Sequence, residues 1–521
     1  MRRLVTMKET IVEKDEGVQS FYRDSTALVT GATGFIGMLL VEKLLRSCPE
    51  IKKIILLMRA KKGKTMEQRF EALMNDPVFS AMKQICPKYE EKLAVVSGDC
   101  ALPNLGLSDD DRWLIQQEVN VVFHCAATVR FDEPLKTAAA INVRAIRDLL
   151  RIAQHMKNLR AFVHVSTAYS HCPRKEIGEV LYDSPMDYDK LLNLVDTLKE
   201  NILDRITPEI IDPWPNTYAF TKAIGEEVVL QEGKGLPVCI VRPSMVITTN
   251  NEPYPGWANT INGPIGAAFG AAIGILHTVY LHVDEHADMV PADLVINNII
   301  VAAWSEAHKR TEIIKSIRPP DSIHEKPDNN RDLTVYNYVS SPRNTLTWGK
   351  FVHLCENMDY PSEHCVWYYS LICTPYYWLN NFFRIFLHYL PALIVDLACL
   401  VIGRKPIMLK AFRKIHKFLD ITAYFHESRW EFSDKNVQKL WSSLSTHDKN
   451  VFPFDIAEID WKVTLHHVIP GLRVYLMKDP LNTVSRGTVK YRRLKILHYT
   501  VVSAFILLCL RVLWWLISAF I

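Results

Sequence analysis

Through the first half of the chain, short apolar runs rich in Val and Ile alternate with stretches of helical spacing. "TALVTG" (26–31), "KKIILLMR" (52–59), "KLAVVSGD" (92–99), "VNVVFHCAA" (119–127), "RAFVHVSTAY" (160–169) and "LPVCIVRPSMV" (236–246) read as strands. Between them, "FIGMLLVEKLLRS" (35–47), "PLKTAAAINVRAIRDLLRIAQ" (134–154) and the segment around "NTYAFTKAIGE" (216–226) carry helical spacing. Strands that are apolar at nearly every position are buried on both faces. The alternation therefore predicts an α/β fold, a parallel sheet with helices on both sides.

Beyond about residue 250 the strict alternation fades. "PADLVINNIIVAAWSE" (291–306) reads as a helix. Residues 316–341 are polar and proline-bearing, as in an exposed excursion that ends in a strand. Residues 365–406 are strongly apolar and aromatic but are interrupted by Asn380, Asn381, Arg384, His388, Pro391 and Asp396. Those polar positions argue against a clean membrane span. A buried helical pair, or one facing a membrane or an acyl chain, both remain open.

From Ile496 an apolar run continues to the last residue, long enough for a bilayer, which takes about 20 residues. Arg511 near its middle costs about 2.5–3.5 kcal/mol on insertion scales. Lys490, Arg492, Arg493 and Lys495 precede it. The run reads as a C-terminal anchor contacting membrane lipid, with the body on the cytosolic side. A helix lying in the interface, or one buried in a partner, is the alternative. The expected division is an N-terminal extension (1–22), a nucleotide-binding domain with substrate-binding part (23–355), a helical domain (356–480) and a basic linker with transmembrane tail (481–521).

Composition bounds this picture further. At 521 residues the chain is too long for one core. It is 49% hydrophobic and 23% charged, as a globular protein is, and a net charge of +4 without a Lys/Arg array points to no nucleic-acid partner. The eleven cysteines include no CxxC pair, which excludes a disulfide framework and fits a reducing compartment. No apolar run of signal-peptide length opens the chain, so no cleaved signal is expected. The His282–His286 pair is not expected to hold a metal. Nothing in the sequence sets the oligomeric state, and a homo-oligomer stays open.

The chemistry enters at three places. "VTGATGFIG" sets Gly31, Gly34 and Gly37 between the first strand and a helix. The first glycine permits the turn, the second lets backbone approach a pyrophosphate, and the third lets helix pack on sheet. The helix N-terminus then faces the phosphates. The context makes the sheet a Rossmann-type doubly wound one that binds a dinucleotide. The second strand ends in "LLMRAKKGK" without a carboxylate, and Arg59 is placed to take a 2′-phosphate, which points to NADPH. The fifth strand ends in Ser166 and Thr167, and Tyr218 precedes Lys222 by one helical turn. An ammonium near a phenol favours the phenolate and so lowers its pKa.

Cradle, strand-end hydroxyls and Tyr-x-x-x-Lys together resemble the extended short-chain dehydrogenase/reductases. "GATGFIG", "LLMRAKKGK", "HVSTAY", "NTYAFTKAIGE", "VRPSMV", "MVPADLVINNIIVAAW" and the segment 430–461 are similar to the alcohol-forming fatty acyl-CoA reductases. The likeness runs from about residue 20 to about 475, with no departure at the motif positions. It implies that Tyr218 is the general acid and that Lys222 lowers its pKa and holds the nicotinamide ribose. Thr167 would hydrogen-bond the substrate oxygen, with Ser166 its competitor by one register step. Gly31, Thr33, Gly34, Phe35, Ile36 and Gly37 would form the cradle, with Arg59 on the 2′-phosphate. Asp99 and Cys100 would face the adenine, and Ala126, Ala127 and Thr128 would flank the cofactor. Asn142 would help order a water and backbone relay behind Lys222. Pro243 and Ser244 would line the nicotinamide side. The family also implies an endoplasmic reticulum or peroxisomal membrane.

The expected reaction is reduction of a long-chain acyl-CoA thioester to a primary alcohol and CoA, through an aldehyde-level intermediate. No covalent thiol is required, and Cys100, Cys125 and Cys172 are expected to be packed residues. Another extended reductase acting on a lipid carbonyl, either an aldehyde-releasing acyl-CoA reductase or a hydroxysteroid dehydrogenase, would share every core residue. Residues 360–475 argue against it. An inactive lipid-binding scaffold is opposed by the intact Tyr218, Lys222 and cradle.

Overall fold

Val, Ile and Leu at successive positions give strands that must be covered on both faces, and the computed structural model shows that arrangement. It describes residues 17–60, 63–316, 333–356 and 359–520. Of the expected polar excursion, residues 317–332 lie outside the described residues, as do 1–16 of the N-terminal extension.

Seven parallel strands form the main sheet: β1 (Thr26–Thr30), β2 (Lys53–Met58), β3 (Leu93–Ser97), β4 (Val121–His124), β5 (Ala161–Val165), β6 (Val238–Pro243) and β7 (Thr334–Tyr338). Their order is β3-β2-β1-β4-β5-β6-β7. The order reverses between β1 and β4, which opens a crevice at their carboxyl ends. Ligands of such sheets bind there.

Side chains alternate across each strand. Val29, Ile54, Phe123 and Val241 face one core, together with α1 (Phe35–Ser47) and a long helix over Ala292–Ser316. Leu28, Ile55, Val122 and Ile240 face the other, with α2 (Ala145–Ala153) and α3 (Thr217–Glu232). The helix expected over 134–154 is interrupted by a π-turn at Ala140–Arg144 that carries Asn142. Such single-turn widenings occur mostly at functional sites.

The C-terminal part is threaded through this body. Ile372–Thr374 pairs with Thr278–Tyr280, and Glu431–Phe432 pairs with Glu176–Ile177. Asn297 Nδ2 donates to Pro453 O at 2.7 Å. Three long helices stand out in this part, with shorter ones between the last two: α4 (Tyr377–Val401), which is one continuous helix with a π-turn, α5 (Met408–Glu427), and α6 (Val484–Phe520). The Asp396 carboxylate of α4 caps α5, accepting from the N–H groups of Ile407, Met408 and Leu409 at 2.9 Å each. A carboxylate at a helix N-terminus is favoured by the helix dipole.

Candidate active site

The crevice between β1 and β4 is floored by glycines. Gly31 takes φ +72°, and a Cβ there would meet Ala126 N at 2.8 Å. At Gly37 a Cβ would lie 2.2 Å from Gly31 O, so helix α1 packs directly on the turn. At Gly34 a Cβ would meet only Gly31 O, at 3.2 Å, and that residue is exposed toward the crevice. No side chain caps α1, so its first N–H groups are free for an anion. Phe35 stacks its ring on Trp257 at 5.4 Å, which leaves its backbone N–H as the part available to the cradle. Thr33 is exposed and Ile36 half-buried at the rim.

Arg59 is exposed at the end of β2, and its charge reaches Cys100 at the end of β3. Asp99 Oδ1 accepts from Ala101 N at 2.9 Å. Across the crevice, Thr30 Oγ1 meets His124 Nδ1 at 2.8 Å and accepts from Ala126 N at 3.2 Å. Thr128 N donates to Asn142 Oδ1 at 3.0 Å. Asn142 Nδ2 donates to Thr128 O at 3.3 Å and to Thr221 Oγ1 at 3.0 Å. The Asn142 side chain thus ties the 126–128 loop to α3. Pro243 closes β6, and Ser244 N donates to Tyr338 O at 3.0 Å. These groups fit a nicotinamide dinucleotide: open N–H groups, a glycine floor and a cation beyond β2.

Helix α3 begins where Asn216 accepts from Ala219 N at 2.8 Å. Tyr218, Lys222 and Glu226 follow at four-residue spacing along one face. Tyr218 hydrogen-bonds Thr167, and burial pushes its phenol up to about 12. Lys222 Nζ donates to Val165 O at 2.7 Å. Burial lowers that ammonium to about 8, against the opposing charge of Glu226. The ammonium is engaged with the strand carbonyl and not with the phenol, so the expected lowering of the Tyr218 pKa by Lys222 is not seen in this arrangement.

The two strand-end hydroxyls part ways. Residues 166–168 continue the pairing with β6, through Ser166 N to Val241 O at 2.8 Å and Ala168 N to Pro243 O at 2.9 Å. Ser166 Oγ donates to Glu226 Oε1 at 2.6 Å, which turns it away from Tyr218. Thr167 is the hydroxyl beside the phenol.

Glu226 was not anticipated. It is 1% exposed and gathers Ser166, Ser170, His171 and Arg242. Arg242 grips it in a fork, Nε to Oε1 at 2.9 Å and Nη2 to Oε2 at 2.6 Å. Burial pushes the carboxyl up, but the Arg242 guanidinium overrides this and holds it well below the usual carboxylate range. The sequence signal was present: a carboxylate one turn beyond Lys222, on the helix face that carries Tyr218 and Lys222.

An apolar cavity starts at Tyr218. Phe131, Met245, Phe351, Leu419 and Phe425 contribute to its walls, and the glycine- and alanine-rich helix Pro264–Ala272 leaves room along one side. Its C-terminal lining comes from α5 and from Tyr369 and Leu371, which precede α4, and not from α4 itself. Cys100, Cys125 and Cys172 are each pushed up to about 12 by burial and stay as thiols. Burial, with the Lys222 charge, lowers His124 to about 3, which keeps it neutral in the core. His282 Nε2 meets Tyr280 Oη at 3.2 Å.

A NAD-binding family described as "Male sterility protein" matches residues 29–299, and a second family of that description, Sterile, matches 387–479. "Fatty acyl-CoA reductase wat" from Drosophila melanogaster is 40% identical over 97% of this chain and 95% of its own length. "Fatty acyl-CoA reductase 2" from Bos taurus is 34% identical over 95% and 93%. The chain belongs to the fatty acyl-CoA reductase family. The fold is shared more widely among reductases. The reductase domain of a nonribosomal peptide synthetase from Mycobacterium tuberculosis aligns with a TM-score of 0.55 at 20% identity, covering 86% of this chain and 91% of that one. The terminal R domain of the myxalamid pathway gives 0.54 at 19%, covering 87% and 91%. In this fatty acyl-CoA reductase, the NAD-binding match takes in the glycine floor.

Proposed function

We propose that the chain reduces long-chain acyl-CoA to a primary alcohol and free CoA, with Tyr218 as the proton donor. The observation that carries this is the apolar cavity with Tyr218 in its wall, the phenol itself being hydrogen-bonded to Thr167. Two NADPH molecules, bound in turn, would each supply one of the two hydrides that the conversion consumes, and Arg59 would favour their 2′-phosphate.

The chain's own groups do the rest. The apolar walls hold the acyl chain and exclude water, leaving the thioester carbonyl at the phenol. Thr167 and Tyr218 donate to the oxygen as it gains negative charge. A phenol pushed up to about 12 remains protonated at neutral pH and is therefore a donor there. Collapse of that oxyanion expels the CoA thiolate and leaves an aldehyde in the same place; after the second hydride, Tyr218 gives its proton to the alkoxide to complete the alcohol and regains one from solvent. Lys222 lies one turn below and holds the cofactor ribose.

Helix α6 carries the apolar tail, fully exposed from Thr500 to Ser518. It tethers the enzyme to an endoplasmic reticulum or peroxisomal membrane, with the catalytic body in the cytosol.

The test is purified protein with NADPH and acyl-CoAs of graded length, with products identified by mass. Alcohol is expected. Neither aldehyde nor alcohol would overturn the reading, and aldehyde alone would remove the second step. Tyr218→Phe is expected to lose about 10²–10⁴-fold in turnover while still binding NADPH.

A further inference from the structure

Helix α4 is built inside out. Its polar residues face the protein and its apolar residues face outward. Asn380 and His388 are 0% exposed, and Arg384 and Asp396 are 6% exposed. Trp378 is 70% exposed, Ile394 60%, Leu400 57% and Val401 87%. The outward residues recur at helical spacing through Phe382, Ile385 and Leu397, so they form one continuous stripe. An apolar stripe of this length exceeds what a monomer in water ordinarily exposes.

The inward face is held in place. Arg384 Nη2 lies 2.6 Å from Asp420 Oδ1 of α5. Thr278 Oγ1 donates to Asn380 Oδ1 at 2.9 Å, and His277 N donates to His388 Nε2 at 2.9 Å. These bonds fix the first half of α4 to the body and to α5, and the Asp396 cap ties its second half to α5. Crossing a bilayer would break them and strand the polar groups in hydrocarbon.

Two features name the occupant of the stripe. Cations border its end: Arg404 and Lys405 directly after it, then Lys410, Arg413 and Lys414, all exposed. Apolar residues edged by Lys and Arg are the mark of a helix lying at a lipid headgroup boundary. The stripe is also joined to the tail. Trp367 Nε1 lies 2.9 Å from His498 Nδ1, and Tyr368 packs on Tyr491 at 5.0 Å and Tyr499 at 5.9 Å. The segment that leads into α4 therefore clasps α6 where its apolar run begins.

We propose that α4 is a second membrane contact, lying in one leaflet without crossing it, with its apolar stripe among the acyl chains and the cations after it among anionic headgroups. Its partner α5 carries cavity-lining Leu419 and Phe425, so this contact seats the cavity wall against the bilayer. The inference concerns the lipid contact alone and is read without turnover, so its failure and that of the reductase reading are separable.

The full-length protein is placed in vesicles of phosphatidylcholine with an anionic phospholipid, including a phospholipid with a photoreactive diazirine on its acyl chain. After illumination, lipid adducts are mapped by mass spectrometry. Adducts are expected on Trp378, Phe382, Ile394, Leu397 or Leu400, as well as on α6, with none at Asn380, Arg384 or Asp396. Adducts confined to α6 overturn the proposal. So do adducts on the polar face, which would mean a crossing helix, and so does shielding of α4 by a second copy of the chain. The full-length variant Ile394→Ser/Leu397→Ser/Val401→Ser, altered only at outward positions, is expected to lower α4 labelling about tenfold, equivalent to about 1.4 kcal/mol. Labelling of α6 should hold. Unchanged α4 labelling in that variant would also overturn it.

Discussion

Ser166 donates its hydroxyl to Glu226 at 2.6 Å, while Thr167, one residue later, keeps company with Tyr218. Successive residues on an extended segment point to opposite sides, so one register step separates a hydroxyl tied to Glu226 from one beside the Tyr218 phenol. Thr167→Val is expected to lower kcat by about 10²–10³-fold, the usual loss for one donor to a developing oxyanion. Ser166→Ala should leave kcat within a few fold and lower the melting temperature instead, because a hydrogen bond to a charged group contributes about 1.5–3 kcal/mol. Steady-state kinetics and thermal melts on the two variants check this. The reverse pattern would make Ser166 the substrate-facing hydroxyl.

Glu226 neutralises Arg242 in a site sealed from water, since Arg242 is 0% exposed. Glu226→Gln leaves that guanidinium buried without its counter-charge, and breaking such a pair costs about 3–5 kcal/mol. A melting temperature lowered by several degrees is expected. Glu226→Gln/Arg242→Met, which removes both charges, should recover part of the loss. No recovery in the double variant would show that the fork does not set the stability of this cluster.

Lys222 provides a pH signature. Its ammonium is lowered from 10.5 to about 8 by burial, and Glu226 opposes that shift. The charged form, the one that would hold the ribose, is therefore lost as pH rises through about 8, and kcat/KM should fall along an alkaline limb there. Stability moves the other way. Between pH 8 and 10.5 the unfolded chain binds more protons at this lysine than the folded one, so the contribution of Lys222 to stability rises with pH. In Lys222→Arg, whose guanidinium stays charged, the residual activity should show no such limb. Persistence of the limb would assign it to another group.

The cradle and the sheet were legible because their signals are local. Strand runs, glycine spacing and the Tyr218–Lys222 turn each lie within a few residues. What was hidden depends on contacts distant in sequence. The Ser166–Glu226 bond spans 60 positions, and the Glu226–Arg242 fork joins a helix to a strand. The cavity draws on Phe131, Phe351 and Phe425, which no periodicity links. In residues 365–406 the polar positions argued against a clean span, and the helix Tyr377–Val401 that carries most of them is nonetheless long and apolar enough to cross a membrane. Whether they faced solvent, core or lipid could not be read until α5 and Thr278 supplied their partners. The coupling of Lys222 to Tyr218 is the instructive miss: four-residue spacing puts both on one face, but the nearby Val165 carbonyl takes the ammonium.

Two of the glycines in the cradle should fail in different ways. A Cβ at Gly37 would sit 2.2 Å from Gly31 O, which is backbone and cannot swing aside. Gly37→Ala must therefore push α1 off the turn, and both thermal stability and NADPH binding should fall. A Cβ at Gly34 meets only Gly31 O, at 3.2 Å, so the fold can absorb it with a small shift. That methyl would instead stand at the N-terminus of α1, where backbone must approach the pyrophosphate. Gly34→Ala is thus expected to keep its melting temperature and to weaken NADPH binding about tenfold or more, a change of about 1.4 kcal/mol per tenfold. Titration of NADPH fluorescence alongside thermal melts separates the two. Unchanged NADPH affinity in Gly34→Ala would mean that the dinucleotide does not approach this turn.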